Sequence, residues 1–411
     1  MKTAARFVAI AFATAALWLN AGHGGAQTPA QPLAQTAPAP PAVRPQPPAV
    51  AARQYILVEL TSGQVLAEAG ADERAEPASL TKLMTAYLVF NAIRDKKLSP
   101  DQPLPVSVRA WNERGSGKKG GASVMFIEPK MRPHVDELLH GLIVQSGNDA
   151  AVALAEGVAG SVENFVALMN RQAQDWGLKN TQFRNTTGMT EAGHHSSARD
   201  VAWVAARIIA EHPTLFPVYR VKSYTFNGIK QDNRNKLLAR DPTVDGMKTG
   251  RTDAAGWCLV ATAAREAPGL VGKRRLLSVV LGAASDEARA SESAKLLEWG
   301  FSAWEAVRVV EPNQVLATVP VWKGAANEAR LGTAAAMVVS VAKGEGARLQ
   351  TRLVRNDPLL APLAVGQAVG TLTVKTADGG VVASVPLVAL QEVPLAGWFG
   401  RTWDSLRLSV R

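Results

Sequence analysis

Three short motifs in this chain combine side chains that can perform acyl-transfer chemistry. In the first, a serine and a lysine stand three positions apart in Ser79-Leu80-Thr81-Lys82, at the start of an apolar segment whose spacing predicts a helix. Helical geometry places both side chains on one face, where the helix N-terminus favours an anion beside the serine. A lysine packed in apolar surroundings there loses its proton readily enough to act as a base. The pair alone is a weak signal, because an N-capping serine beside a solvated lysine has the same spacing.

The second and third motifs add polar groups that suit binding and proton transfer. Ser146-Gly147-Asn148 lies between two predicted apolar helices and projects a hydroxyl and an amide into the space between them. The same residue types are usual in a plain helix-linking turn, so this motif is also weak by itself. Lys248-Thr249-Gly250, followed by Arg251, lies on a predicted strand. The occurrence of all three motifs in this order is far more specific than any one of them.

The elements that must position these motifs are predicted from apolar periodicity and capping residues. Strands with short, and therefore antiparallel, connections are expected over residues 55–60, 64–67, 244–252, 256–262 and 275–281. Helices are expected from Ser79 onward and over residues 135–146, 149–159, 162–176, 198–211 and 287–299, the last ending at Gly300. This mixture of helices and antiparallel strands predicts the α+β class.

Composition divides the chain into five segments. Residues 1–26 combine two early positive charges, an apolar run and small residues, which is typical of a secretory leader. Residues 27–52 form a linker rich in Pro, Ala and Gln. The domain that carries the motifs is expected to span residues 53–303. Residues 304–393 contain short Val and Leu runs separated by Pro and Gly, which predict a small β domain. Residues 394–411 predict an amphipathic helix.

This terminal helix has aromatic and apolar side chains on one face and mostly arginines on the other, the pattern of a helix lying in a membrane interface. It is too short and too charged to span a bilayer. A helix that caps the β domain is the alternative. Together with the leader, the pattern predicts an exported protein, held in the periplasm at the outer face of the cytoplasmic membrane.

Charge and rare residues exclude several classes of function. The 411-residue chain has a formal charge of +10, but its positive residues are scattered and no basic helix with interleaved aromatics occurs, so we expect no nucleic-acid partner. The single cysteine, Cys258, permits no internal disulfide. The six histidines show no metal-binding spacing, and His194 with His195 is expected in a polar turn. We therefore expect no metal and no cofactor.

In their order and in their neighbouring residues, the three motifs resemble those of the serine-type D-Ala-D-Ala carboxypeptidases, the low-molecular-mass penicillin-binding proteins of the peptidase S11 family. The resemblance covers roughly residues 50–305 and continues through the small β domain to the terminal helix. It implies a β-lactamase/transpeptidase-like domain, in which an antiparallel sheet is flanked by helices and joined to a helical lobe, with the active site between them.

The resemblance also implies catalytic roles for three residues. Ser79 would attack the carbonyl of the penultimate D-Ala after Lys82 takes its proton. Ser146 would relay a proton to the departing D-Ala nitrogen. Water would then hydrolyse the acyl-enzyme, and β-lactams would acylate the same serine.

Five further residues are implied in substrate binding. Asn148 would hold the substrate amide and the catalytic lysine. Lys248 and Thr249, together with Gly250, would grip the terminal carboxylate on an edge strand, along which the peptide would lie. The backbone N–H of Arg251 would complete an oxyanion hole with that of the nucleophile. Where this chain has Arg251, a histidine is common in the family. The arginine side chain brings a fixed positive charge, which either strengthens carboxylate binding or crowds the site.

The expected partners are a peptidoglycan stem peptide ending in D-Ala-D-Ala, β-lactams as inhibitors, and a membrane surface. A DD-endopeptidase acting on cross-linked peptidoglycan and a non-catalytic wall-binding scaffold are alternatives. A class A β-lactamase is disfavoured, because no Glu-x-x-Leu-Asn segment occurs between the second and third motifs.

Overall fold

A computed structural model of the chain describes residues 44–113 and 123–408. The predicted leader, most of the predicted linker and residues 409–411 of the predicted terminal helix lie outside the described residues. The chain forms two compact units: one comprises residues 46–61 and 65–302, and the other comprises residues 303–408 with the short segments 44–45 and 62–64.

The first unit is built on a five-stranded sheet. The strands of this unit are β1 (Gln54–Glu59), β2 (Gln64–Ala69), β3 (Ser223–Phe226), β4 (Ile229–Asp232), β5 (Val244–Thr252), β6 (Gly256–Glu266) and β7 (Lys273–Ala283). The sheet has the order β2-β1-β7-β6-β5, and β3 forms a separate hairpin with β4. The pairs β1 with β7, β7 with β6 and β6 with β5 are antiparallel. Since β5 is the last strand in the sheet order, the third motif lies on an edge strand.

Helices surround this sheet and form a helical lobe. They are α1 (Lys82–Arg94), α2 (Val108–Asn112), α3 (Val135–Ile143), α4 (Asn148–Ala159), α5 (Val162–Asp175), α6 (Ala198–Glu211), α7 (Leu237–Arg240) and α8 (Asp286–Ala303). Helix α4 is buried along most of its length, because small alanine side chains allow α1, α3 and α5 to pack closely around it. Helix α6 contacts β1 and β7. The short helices α2 and α7 were not predicted.

The prediction that the last helix of this unit ends at Gly300 is wrong. Helix α8 continues to Ala303, and Gly300 is buried within it. A Cβ atom at this glycine would lie 2.7 Å from Leu276 Cδ1 and 2.8 Å from Leu57 Cδ2. The glycine is therefore required for close packing of the helix on the sheet and does not terminate the helix.

The second unit is an all-β domain followed by one helix. Its elements are β8 (Trp304–Val310), β9 (Ala317–Pro320), β10 (Glu328–Gly332), β11 (Met337–Ala342), β12 (Gln350–Arg355), β13 (Ala368–Lys375), β14 (Val381–Ala389) and α9 (Trp398–Leu408). A sheet with the order β12-β13-β14-β10-β9 faces the pair β11-β8. Val310, Val339 and Val374 belong to one buried cluster that joins the two sheets, so the arrangement is a small sandwich.

Helix α9 packs on this β domain through its polar side. The backbone N–H of Lys323 donates to Asp404 Oδ2 at 2.6 Å, and the Arg407 guanidinium lies 6.0 Å from the centre of the Trp322 ring. Three large side chains remain exposed: Trp398, Phe399 and Trp403, which we call the aromatic face. Among the described residues, no single helix is long and apolar enough to cross a membrane.

Candidate active site

The first motif brings a serine hydroxyl and a buried amine together. Ser79 lies in a single 3-10 turn, Ala78–Thr81, that leads directly into α1, and Lys82 is the first residue of that helix. Lys82 is 1% exposed, and its Nζ atom lies 3.1 Å from Ser79 Oγ. The same Nζ lies 2.7 Å from Asn148 Oδ1 and 2.7 Å from the carbonyl oxygen of Thr187.

These contacts determine what a neutral Lys82 can do. An unprotonated amine has two N–H bonds and one lone pair. The carbonyl oxygens of Asn148 and Thr187 accept hydrogen bonds from the two N–H groups, so the lone pair is directed at the Ser79 hydroxyl. The geometry is that of a general base in hydrogen-bond reach of the proton it removes.

Burial lowers the pKa of Lys82 to about 7, because the ammonium form loses its hydration. The negative charges of Glu113 and Asp149 oppose this shift, and the positive charge of Arg234 adds to it. About half of the Lys82 side chains are therefore neutral at pH 7.

The second motif forms the turn between α3 and α4. Ser146 is 2% exposed, and among the described residues its Oγ has no hydrogen-bond partner. Asp149, in the first turn of α4, ties this end of the helix to a neighbouring segment, because its carboxylate accepts from the backbone N–H groups of Met125, Phe126 and Ile127. A buried hydroxyl without a partner costs free energy, and a bound ligand that supplies the partner recovers it.

Two non-glycine residues with positive φ flank this part of the site. Ala78 has φ 48° and Ser146 has φ 64°. Such conformations cost about 1–3 kcal/mol each and persist only where the surrounding structure enforces them. The Ser79 segment and the Ser146 turn are thus both held in conformations that their own sequences do not favour.

The third motif lies against the segment that carries Ser79. Strand β5 carries Lys248, which is 2% exposed and donates to the carbonyl oxygen of Thr249 at 3.0 Å. A Cβ at Gly250 would lie 3.1 Å from Ala78 Cβ and 3.2 Å from Ser79 N. Glycine at this position therefore allows the edge strand to approach the backbone of Ser79.

Several positive charges converge on the site. Burial lowers the pKa of Lys248 well below its usual value, and the charges of Lys82, Arg234 and Arg289 lower it further. Arg234 was not singled out in the sequence. It follows the β3–β4 hairpin in Asn233-Arg234-Asn235, where Asn235 Nδ2 donates to the carbonyl oxygen of Gly246 at 3.0 Å. The positive charges of Arg234 and Arg289 near Lys248 suit the binding of a carboxylate.

The Arg251 side chain is engaged with neighbours on its own side of the sheet. Its guanidinium donates to Asp253 Oδ1 at 2.8 Å and lies 5.2 Å from the centre of the Trp257 ring. The side chain is 45% exposed. The structure therefore provides partners that restrain this arginine and keep part of it in solvent.

His194 closes a turn, as expected, because its backbone N–H donates to the carbonyl oxygen of Glu191 at 2.9 Å, but its side chain faces the interior. It is buried, its Nδ1 accepts from the backbone N–H of Arg184 at 3.0 Å, and its Nε2 lies 2.8 Å from Thr81 Oγ1. Burial lowers the pKa of His194 to about 4, so the ring is neutral at pH 7 and Nε2–H donates to Thr81. This residue supports the turn that carries Ser79.

Comparison with known proteins identifies the family. A family model described as D-alanyl-D-alanine carboxypeptidase, peptidase S11, matches residues 41–285. The chain belongs to this family. A second model, the C-terminal domain of penicillin-binding protein 5, matches residues 304–395.

Relatives of this S11 enzyme match along most of their length. The D-alanyl-D-alanine carboxypeptidase DacC of Escherichia coli (strain K12) is 42% identical over 359 residues, which cover 87% of this chain and 88% of the relative. The solved structure of penicillin-binding protein 5 from Haemophilus influenzae is 38% identical with a TM-score of 0.80, covering 85% of this chain and 99% of its own. Penicillin-binding protein D2 from Listeria monocytogenes, solved in its ampicillin-bound form, is 32% identical with a TM-score of 0.54, covering 62% of this chain and 100% of its own.

These findings confirm the predicted fold class, a transpeptidase-like α+β domain followed by an all-β domain. They also confirm the prediction of a serine-type D-Ala-D-Ala carboxypeptidase, that is, a hydrolase. Neither the endopeptidase nor the non-catalytic scaffold is favoured by them.

Proposed function

We propose that this carboxypeptidase removes the terminal D-Ala from peptidoglycan stem peptides through an ester on Ser79. The observation that carries the proposal is the geometry of Lys82, whose two carbonyl acceptors direct its lone pair at the nucleophile. A pKa of about 7 leaves much of this amine neutral at physiological pH.

In the acylation step, Lys82 takes the hydroxyl proton and Ser79 Oγ attacks the carbonyl carbon of the penultimate D-Ala. The backbone N–H groups of Ser79 and Arg251 stabilise the oxyanion, and each such donor contributes on the order of 3 kcal/mol to the transition state. Ser146 passes a proton to the amine of the departing D-Ala, and the C–N bond breaks. Attack of water on the ester then releases the shortened peptide and restores the serine.

The substrate is proposed to lie along the free edge of β5. Lys248 and Thr249 bind its terminal carboxylate, with Arg234 adding positive charge near the same place. Gly250 keeps the strand close to the nucleophile, and Asn148 holds the substrate amide in addition to the Lys82 amine. A β-lactam, which presents a carboxylate and a strained amide in the same way, would acylate Ser79 through the same contacts.

We further propose export and attachment to a membrane. Residues 1–26 would direct the chain across the cytoplasmic membrane, and residues 27–52 would link the leader to the catalytic domain. Residues 394–411 would anchor the enzyme at the outer face of that membrane in the periplasm. The arrangement of α9 supports this role, because its polar side contacts the β domain while the aromatic face stays exposed, as an interfacial helix requires.

The proposal is tested with the purified protein and a Ser79→Ala variant. Both are incubated with a peptide ending in L-Lys-D-Ala-D-Ala, free D-Ala is assayed, and covalent labelling by a fluorescent penicillin is followed. We expect release and labelling by the unaltered protein and neither by the variant. A folded, unaltered protein that shows neither signal would refute the proposed activity.

A further inference from the structure

Three backbone segments meet around the amide of Ser79. Besides the nucleophile segment itself, they are the loop at Thr187-Gly188 and the end of strand β5. A Cβ at Gly188 would overlap the carbonyl group of Ala78 and lie 2.9 Å from Ser79 N. Gly250 approaches the same amide from the other side. The direction of the Ser79 N–H therefore depends on how the two neighbouring segments are held.

One carboxylate connects all three segments. Glu76, three residues before the nucleophile, accepts a hydrogen bond from Thr190 Oγ1 at 2.8 Å and another from Thr252 Oγ1 at 2.8 Å. Both hydroxyls donate to the same oxygen, Oε2. Thr252 Oγ1 in turn accepts from the backbone N–H of Ala255 at 2.9 Å, which fixes the turn after β5.

The positions of these partners in the sequence are informative. Thr190 follows Gly188 by two residues, and Thr252 directly follows Arg251, whose backbone N–H is the second proposed oxyanion donor. The Glu76 carboxylate thus joins the segment of one donor to the segment of the other. Because both hydroxyls donate to one oxygen, the two hydrogen bonds together fix its position.

We propose that Glu76 is a positioning residue that sets the separation of the two oxyanion donors, the N–H groups of Ser79 and Arg251. It acts on the reaction through the backbone, since its hydrogen-bond partners are threonine hydroxyls and not reacting groups. The proposal rests on the function proposed above. It predicts that the oxygen at this position matters for the acylation step and that the negative charge does not.

The test compares three variants by stopped-flow acylation with a fluorescent penicillin and by D-Ala release. Glu76→Ala removes the shared acceptor, Glu76→Gln keeps a carbonyl oxygen without the charge, and Glu73→Ala is the matched control. Glu73 lies three residues earlier and is exposed. The nucleophile segment remains tied in all variants by the backbone pair between Ala75 and Ser196, with N–O distances of 2.8 and 2.9 Å.

We expect Glu76→Ala to lower the acylation rate constant about tenfold, a factor that corresponds to about 1.4 kcal/mol in the transition state. The affinity of the initial penicillin complex and the pH at which the rate reaches half its maximum should not change. Glu76→Gln should retain most of the rate, and Glu73→Ala all of it. Thr190→Val, which removes one donor to the carboxylate, should slow acylation and add little to Glu76→Ala in the double variant.

Two results would overturn the proposal: an unaltered acylation rate in Glu76→Ala, or an equal loss in Glu76→Gln. The second would assign the effect to charge. If Glu76→Ala does not fold, Thr190→Val decides the question by the same criterion. Failure of the proposed function is distinguishable, because the unaltered protein itself would then show no labelling dependent on Ser79.

Discussion

The acylation rate should follow the protonation state of Lys82. The pKa of this lysine is about 7 because the amine is buried. A base of that pKa is about 10% neutral at pH 6 and about 90% neutral at pH 8, so the rate should rise about tenfold across this interval. The sign is fixed by the chemistry, since only the neutral amine accepts the Ser79 proton. Penicillin carries an ionised carboxylate throughout and does not itself titrate in this range.

Two substitutions should move this pH profile in opposite directions. Asn148→Asp places a carboxylate where an amide oxygen now lies 2.7 Å from Lys82 Nζ. An opposite charge at that distance raises the pKa of a lysine by about 1 to 3. The midpoint of the curve of rate against pH should therefore move to about pH 8 or above, and the rate at pH 7 should fall about fivefold or more. Glu113→Gln removes a charge that raises the pKa of Lys82, so its midpoint should move below that of the unaltered enzyme.

The assay is the second-order rate constant for labelling by a fluorescent penicillin, measured from pH 5 to pH 9 at constant ionic strength. The midpoint is compared and not the plateau, because Asn148 is also proposed to bind the substrate amide. Glu163→Gln controls for net charge, since Glu163 is exposed and has no part in the shift at Lys82. Coincident midpoints for all four proteins, or a midpoint near the ordinary lysine pKa, would refute Lys82 as the base.

Three other predictions concern packing and membrane binding. Gly188 has φ +84°, and Gly188→Ala would place a Cβ against the carbonyl of Ala78. We therefore expect the free energy of unfolding, measured by urea denaturation, to fall by about 1–2 kcal/mol or more, and penicillin labelling to be slower. Gly300→Val inserts a branched side chain between α8 and the sheet, and the free energy of unfolding should fall by about 1–3 kcal/mol; unchanged stability would contradict the close packing described here. Replacing the three side chains of the aromatic face by serines should lower the affinity for vesicles of anionic phospholipid, measured by cosedimentation, at least about a hundredfold. The reason is that each side chain buried in the membrane contributes about 1.5–3 kcal/mol. D-Ala release should stay constant.

The site residues that sequence could indicate are those whose side chains carry the chemistry in a local motif. The Ser79–Lys82 spacing, the Ser146 turn and the strand of Lys248 each follow from helical or strand geometry over a few residues, whereas the edge position of that strand was implied by the family resemblance. The main helices, too, begin and end within a few residues of their predicted bounds, because capping serines such as Ser197 accept the first free N–H groups.

What sequence could not indicate depends on the assembled fold. The backbone carbonyl of Thr187 accepts a hydrogen bond from Lys82. Because every residue has such a carbonyl, the sequence does not indicate which one takes part. Arg234 reaches the lysines only because the β3–β4 hairpin is attached to β5 through Asn235. Gly300 was interpreted as a helix stop because a glycine near a helix end usually is one, whereas here tertiary packing requires it. His194 was expected in a polar turn because of its polar neighbours, and burial of its side chain depends on contacts with Arg184 and Thr81 that are distant in sequence.

The two close backbone approaches at Ser79, the proposed nucleophile, limit how this enzyme could become resistant to antibiotics. At Gly188 and Gly250, any side chain would meet the backbone that presents Ser79. In the proposed mechanism the peptide and a β-lactam react at that same serine, so we expect substitution at either glycine to impair both reactions. Resistance that preserves the physiological reaction must therefore arise where side chains have room to vary, and Arg251, held by Asp253 and Trp257 at the exposed end of β5, is one such position.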